Sequence, residues 1–125
     1  MLPATELRTL IKIAADACHT KNAKAFASLF TATGELVIPG YRFGGKEEIE
    51  RVTEAYLGAC ESVTIQIKRI IVEGNQAVVE WVWSSVEKET GKHTYAENAI
   101  VVDFKAGAIA RWREYADKKT VNSNQ

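Results

Sequence analysis

Glu114 and Asn98 are the two residues whose types and placement point to chemistry. In "ARWREYAD", residues 110–117, strict alternation puts Trp112, Glu114 and Ala116 on one face of a strand and Arg111, Arg113, Tyr115 and Asp117 on the other. A carboxylate beside a Trp on an apolar face loses hydration, so its pKa rises and it becomes suited to act as a general base or acid. Asn98, an amide on the neighbouring strand, could orient that carboxylate or hydrogen-bond a substrate oxygen. The pair reads equally as a buried acid and a core amide that satisfy each other. Perturbed acids cluster at functional sites, which keeps the chemical reading in view.

The last hairpin must position this pair. "KAG", between Phe104 and Ala108, reads as a three-residue loop with Gly107 in the left-handed conformation. That loop predicts Phe104 opposite Ala108, Ile100 opposite Trp112, Asn98 opposite Glu114 and Ala96 opposite Ala116. One face then carries Ala96, Asn98, Ile100, Trp112, Glu114 and Ala116, and points inward. The other offers Glu97 to Arg113 and Tyr115 as a partly solvated ion-pair face. On the preceding strand Ala77, Val79, Trp81, Trp83 and Ser85 share the inward face. A four-residue "ETGK" loop pairing Lys88 with His93 sets Trp83 opposite Asn98. The three Trp residues then wall one apolar compartment, the commoner use of so large a side chain.

Further back, apolar residues recur at helical steps in three places. They are Leu7, Leu10, Ile11, Ala14, Ala15 and Cys18; then Ala23, Phe26, Leu29 and Phe30; then Ile49, Val52, Ala55 and Tyr56 in "KEEIERVTEAYLGAC". A short strand is expected near Glu35–Ile38, with loop on either side punctuated by Pro39-Gly40 and Gly44-Gly45. "SVTIQIKRIIVEG" alternates and then slips phase at Arg69-Ile70-Ile71, the mark of a β-bulge. Three helices followed by an antiparallel meander make an α+β domain with a strongly bent sheet. A single domain over residues 1–118 with a polar tail over 119–125 accounts for the whole chain of 125 residues.

Several classes are excluded by composition. Sixteen basic residues balance sixteen acidic ones, which argues against nucleic acid as a partner. No apolar run approaches the roughly 20 residues a membrane span needs, and the N-terminus lacks the apolar stretch of a secretory signal. Cys18 and Cys60 read as reduced, buried thiols, which places the chain in the cytoplasm. His19 and His93 lack companions at ligand spacing, so neither a metal nor another cofactor is expected.

The helical first half with "FASLFTATGELVIPG", then "FGGKEEIE", then four long strands ending in "WREYAD", resembles the SnoaL-like branch of the NTF2-like superfamily from about Glu6 to Asp117. The resemblance implies a cone-shaped α+β barrel. Its three N-terminal helices would pack on the concave face of the bent sheet, with a pocket for a small hydrophobic ligand between them. It implies relatives among polyketide cyclases, ketosteroid isomerases and limonene-epoxide hydrolase, and commonly a homodimer. Here the outer sheet face around Tyr95, Glu97, Arg113 and Tyr115 would form that contact. The implied site has Glu114 and Asn98 as catalytic groups, and Trp81, Trp83, Trp112, Ser85, Ala96, Ile100, Ala116 and Tyr56 around the substrate. Glu114 falls on the hydrolase's water-activating acid, but Trp81 and Trp83 replace that enzyme's Arg and Asp, and its Tyr and Asn fall near Glu35 and Val37. The hydrolytic set is therefore not matched. Two classes follow: a cofactor-independent isomerase, cyclase, dehydratase or hydrolase, or a non-catalytic module that binds a ligand or a protein.

Overall fold

The computed structural model describes residues 2–121. Helices α1 (Ala4–His19), α2 (Ala23–Ala27) and α3 (Lys46–Gly58) pack on one face of a strongly curved six-stranded sheet. The strands are β1 (Phe30–Ile38), β2 (Tyr41–Gly44), β3 (Cys60–Glu73), β4 (Gln76–Glu87), β5 (His93–Lys105) and β6 (Ala108–Val121). Their lateral order is β2-β1-β6-β5-β4-β3. Only β1 and β6 pair in parallel; the other neighbours are antiparallel. The sheet curls without closing, since β2 and β3 remain its two edges among the described residues. No described helix is long and apolar enough to cross a membrane.

The helices form where apolar residues recur at three- and four-residue steps. Leu7, Ile11, Ala14, Ala15 and Cys18 are all buried along α1. The Asn22 side chain caps α2 by accepting from Ala25 N at 3.0 Å. That helix is shorter than its apolar stripe predicts. Phe30 leaves it to begin β1, where it pairs with Ile109 and still packs edge-on against Phe26 at 5.3 Å. Pairing with β6 wins over helical propensity because the ring stays buried either way.

β1 begins five residues earlier than Glu35. Its first half carries no alternation because the register shifts between Phe30 and Glu35. Residues 41–44, expected as loop, form the edge strand β2, and Pro39-Gly40 is the tight turn of its hairpin, with Gly40 at φ +84°. The expected bulge in β3 is present, between Ile67 and Arg69. There the guanidinium of Arg8 donates to Ile70 O at 2.6 Å and ties α1 to the bend.

Both hairpin registers differ from the expected ones, each by two residues. The turn between β5 and β6 is Ala106-Gly107 alone, both with positive φ, and pairs Lys105 with Ala108. A bulge between Asp103 and Phe104 adds a second one-residue shift. Ile100 therefore faces Glu114, Asn98 faces Ala116 and Ala96 faces Lys118. At the other hairpin Val86, not Lys88, pairs with His93, so Trp81 faces Asn98 and Trp83 faces Ala96. Past the bulge, a shift of two leaves each side chain on its predicted face, because strand side chains alternate with period two; between the turn and the bulge the shift is one, and Ile109 takes the inward place opposite Phe104 expected of Ala108. The expected Glu97–Arg113 ion pair is absent: Glu97 faces Asp117, and the Arg113 guanidinium lies 4.9 Å from the centre of the Tyr115 ring. β6 keeps pairing through Val121, beyond the boundary expected at residue 118; residues 122–125 lie outside the described residues.

Gly34 of β1 packs tightly against β6. A Cβ there would stand 2.9 Å from Ile109 O and 3.1 Å from the Phe30 ring. Gly34→Ala should lower stability by about 1–3 kcal/mol, the usual cost of overpacking; chemical denaturation showing an unchanged midpoint would contradict this packing.

Candidate active site

Glu114 stands on the inward face of β6, two residues after Trp112 and directly across from Ile100. Trp112 is wholly buried, and its indole Nε1 donates to Glu114 Oε2 at 2.9 Å. The side chain keeps some surface open, but its carboxylate is set so deep in protein that burial raises its pKa, with the Trp112 hydrogen bond opposing the shift. None of the ion pairs among the described residues includes Glu114. An open groove of about 550 Å³ passes Glu114 and Ala116, between the β1–β2 turn at residues 37–42 and β6.

The remaining predicted residues divide into a sealed layer and a looser one. Trp81, Trp112 and Ile100 are at most 2% exposed and belong to the core. Trp81 meets Trp112 at 5.4 Å between ring centres, and Phe26 of α2 meets Trp112 edge-on, also at 5.4 Å. Trp83 is half-buried and lies under Tyr56 of α3 at 5.7 Å. Tyr56 itself is about half exposed, so it forms the outer layer over Trp83. Ser85, Ala96 and Asn98 are buried, whereas Ala116 is exposed at the groove. Asn98 does not stand opposite Glu114; it is one diagonal step away, across from Ala116 and Trp81.

Three buried polar atoms on this side of the molecule lack a partner: Trp81 Nε1, Trp83 Nε1 and Asn98 Oδ1. Buried polar groups are nearly always hydrogen-bonded, so a cluster of exceptions marks a place built for something else. Cys18 and the β1–β2 turn, both missed in the sequence, complete the surroundings. Cys18 of α1 has its thiol pushed up to about 12, first by burial and then by the charge of Glu114. It lies on the apolar stripe of α1 and reads there as core. The β1–β2 turn was read as loop, although Pro39-Gly40 between two apolar runs was a hairpin signal. The phenol of Tyr56 is also raised, chiefly by burial, then by Cys60 and more weakly by Glu114, against lowering by Ser85 and by Trp83, whose polar atoms approach its hydroxyl without closing a full hydrogen bond. No group of three or more His, Cys, Asp or Glu residues that could hold a metal occurs among the described residues.

The raised pKa fixes a pH dependence. Below the ordinary Glu pKa both folded and unfolded carboxyls are protonated. As pH rises the unfolded chain ionises first, so Glu114 costs folding stability progressively until pH passes its folded pKa. Glu114→Gln keeps an oxygen for Trp112 Nε1 and should raise stability at pH 7 by roughly 1 kcal/mol. The gain should vanish near pH 3. Thermal unfolding at both pH values tests this; equal gains at the two pH values would show that the carboxylate is not desolvated.

A SnoaL-like domain profile matches residues 12–112. Solved structures similar to this chain include a hypothetical protein with a ketosteroid isomerase-like fold from Catenulispora acidiphila, in complex with trimethylamine. It is 21% identical with a TM-score of 0.79, over 85% of this chain and 83% of that one. TsrD from Streptomyces laurentii is similar at a TM-score of 0.81 and 14% identity, over 94% and 92% of the two chains. An NTF2-like protein of unknown function from Burkholderia xenovorans is similar at a TM-score of 0.72 and 17% identity, over 90% and 83%. No curated protein matches the chain by sequence.

Proposed function

The chain belongs to the SnoaL-like domain family, and on that premise we propose that its inward face binds a small, largely apolar molecule on which Glu114 moves a proton. The observation that carries this is the carboxylate itself. It is buried beside apolar side chains, held by one indole donor at 2.9 Å, and outside the ion pairs among the described residues. Such an acid, its pKa raised by burial, is suited to take or give a proton. The Trp112 donor fixes which carboxylate oxygen is engaged and leaves Glu114 Oε1 for the substrate. Trp83 and Tyr56 supply an apolar wall with a wet rim. Isomerisation, cyclisation, dehydration and hydrolysis each need such a proton transfer and no cofactor. The trimethylamine in the Catenulispora structure supports the smaller claim, that this fold accommodates small molecules.

Ligand binding without chemistry is the second reading. Cys18 and Tyr56, the titratable groups that sense Glu114, are both shifted towards their neutral forms, so neither adds a charged partner for catalysis at pH 7. Glu114→Gln separates the two. In the enzyme it should cut turnover of an active substrate at least about a hundredfold with little change in binding. Screening small ketones, enols and epoxides for turnover, then repeating any hit with the variant, is the measurement; a hit that the variant converts at the wild-type rate would leave Glu114 without a catalytic role.

We also place a homodimer contact on the outer sheet face. Tyr95 and Tyr115 are exposed there, and β4, β5 and β6 form an open groove of about 700 Å³ around them that no helix covers. Aromatic residues are favoured at interface cores. Light scattering should report a dimer at micromolar concentration, and Tyr115→Glu should convert it to monomer. A monomeric wild type would refute the contact. The two free, buried thiols fit the cytoplasmic location proposed with it.

A further inference from the structure

The unpartnered atoms beside Glu114 specify more than a general apolar ligand. Trp81 and Asn98 are direct cross-strand partners on the inward face, and Trp83 is the next inward residue along β4. Trp81 is 2% and Asn98 7% exposed, so bulk water does not satisfy them. Each indole Nε1 can only donate, and Asn98 Oδ1 can only accept. The set therefore offers two donors, that of Trp83 lying near the Tyr56 hydroxyl without a full hydrogen bond to it, and one acceptor.

Resting on the small-molecule reading above, we infer that this corner of the face is a hydroxyl-recognition subsite, and that the ligand is an alcohol or enol on an otherwise apolar skeleton. A hydroxyl oxygen has two lone pairs to accept from Trp81 and Trp83 and one O–H to donate to Asn98. Most other simple groups leave part of the set unmet, and a carboxamide meets it only by spreading acceptor and donor over two atoms. A carbonyl or ether accepts only, and leaves Asn98 Oδ1 buried without a donor. An ammonium donates only, and leaves both indoles unmet. A carboxylate accepts only and would also sit one diagonal step from Glu114. A water molecule could make the same bonds but carries a second O–H, whose place an alcohol fills with its carbon. A site built to pair a hydroxyl discriminates strongly against analogues that lack it, because its own buried groups are then left unpaired. Asn98 thus sets specificity, and the hydroxyl carbon is held one strand from the proton-transferring Glu114.

The test uses three probes of one shape: cyclohexanol, cyclohexanone and methylcyclohexane. Each is titrated into the full-length 15N-labelled protein while the three indole N–H resonances are followed, assigned by single Trp→Phe variants. Cyclohexanol should shift the Trp81 and Trp83 resonances more than that of Trp112, which already has its acceptor, and should bind at least about tenfold more tightly than either analogue. Asn98→Leu should erase that preference while methylcyclohexane binding persists. If that variant does not fold, the wild-type ranking and the identity of the shifted indoles decide alone. Cyclohexanone binding as tightly as cyclohexanol, or shifts confined to Trp112, would overturn the hydroxyl assignment. Equal binding of cyclohexanol and methylcyclohexane would also remove it yet leave the apolar-site reading standing. Silence with all three probes on folded protein would remove both.

Discussion

Trp112 meets Phe26 of α2 on one side and Trp81 of β4 on the other, and donates its Nε1 proton to Glu114. Everything else is arranged around that indole. A buried aromatic side chain removes about 150–250 Å² from water. At about 25 cal/mol per Å² that is several kcal/mol, an upper estimate because the unfolded chain already buries some of this surface. A hydrogen bond to a charged group contributes about 1.5–3 kcal/mol. Packing therefore fixes the ring, and the carboxylate takes its orientation from the ring. The acid is held by a donor that itself cannot move, which is the preorganisation an acid–base site requires.

Trp112 can sit at the centre only because β6 does. β6 ends the fold in sequence yet lies third from one edge, parallel to β1 and antiparallel to β5. Leu36 of β1 and Val102 of β5 flank Trp112 from either side. The helices can close over this centre because the sheet bends, and the bends are at register shifts in β1, β3 and β6. One extra residue on one strand increases local twist and turns the sheet towards its covered face. The Arg8 hydrogen bond to Ile70 O pins α1 across the β3 bend, so curvature and helix packing support each other.

The faces were legible in the sequence and the registers were not, for a single physical reason. Alternation fixes which side of the sheet a residue faces, and burial punishes any one-residue slip. It cannot see a two-residue slip, which keeps the faces; only at the start of β6, where the slip is one, does Ile109 replace Ala108 inward. Trp81, Trp83, Trp112 and Glu114 were therefore assigned inward correctly, while Asn98 was set opposite the wrong partner. The "KAG" loop misled because a two-residue turn plus a bulge and a three-residue loop contain the same residues. The edge strand β2 was missed because Tyr41 and Arg42 are exposed and give no burial signal. The phase slip at Arg69 could be read because a bulge breaks alternation within one strand. The placement of Cys18 and Tyr56 near Glu114 depends on how helices cross the sheet, and nothing local in the sequence encodes that.

Along the inward face, polar satisfaction changes from one end of the strands to the other. At one end Ala77, Val79, Val102, Phe104 and Ile109 are buried and wholly apolar, and Trp112 closes that layer with its one polar atom bonded. At the other end lie Trp83, Ser85, Asn98 and Glu114, with the unpartnered Trp83 Nε1 and Asn98 Oδ1 and the desolvated acid among them; Trp81 Nε1 marks the border. Each of these local departures costs stability, and scattered through the core they would threaten a small domain. Gathered at one end, they are offset by the apolar half, which packs without them. Consistency between local and global preference is expected everywhere in a well-folded chain except where function demands otherwise. The gradient along β4, β5 and β6 points to the same end of the molecule as the proposed site, without resting on the identity of any single residue there.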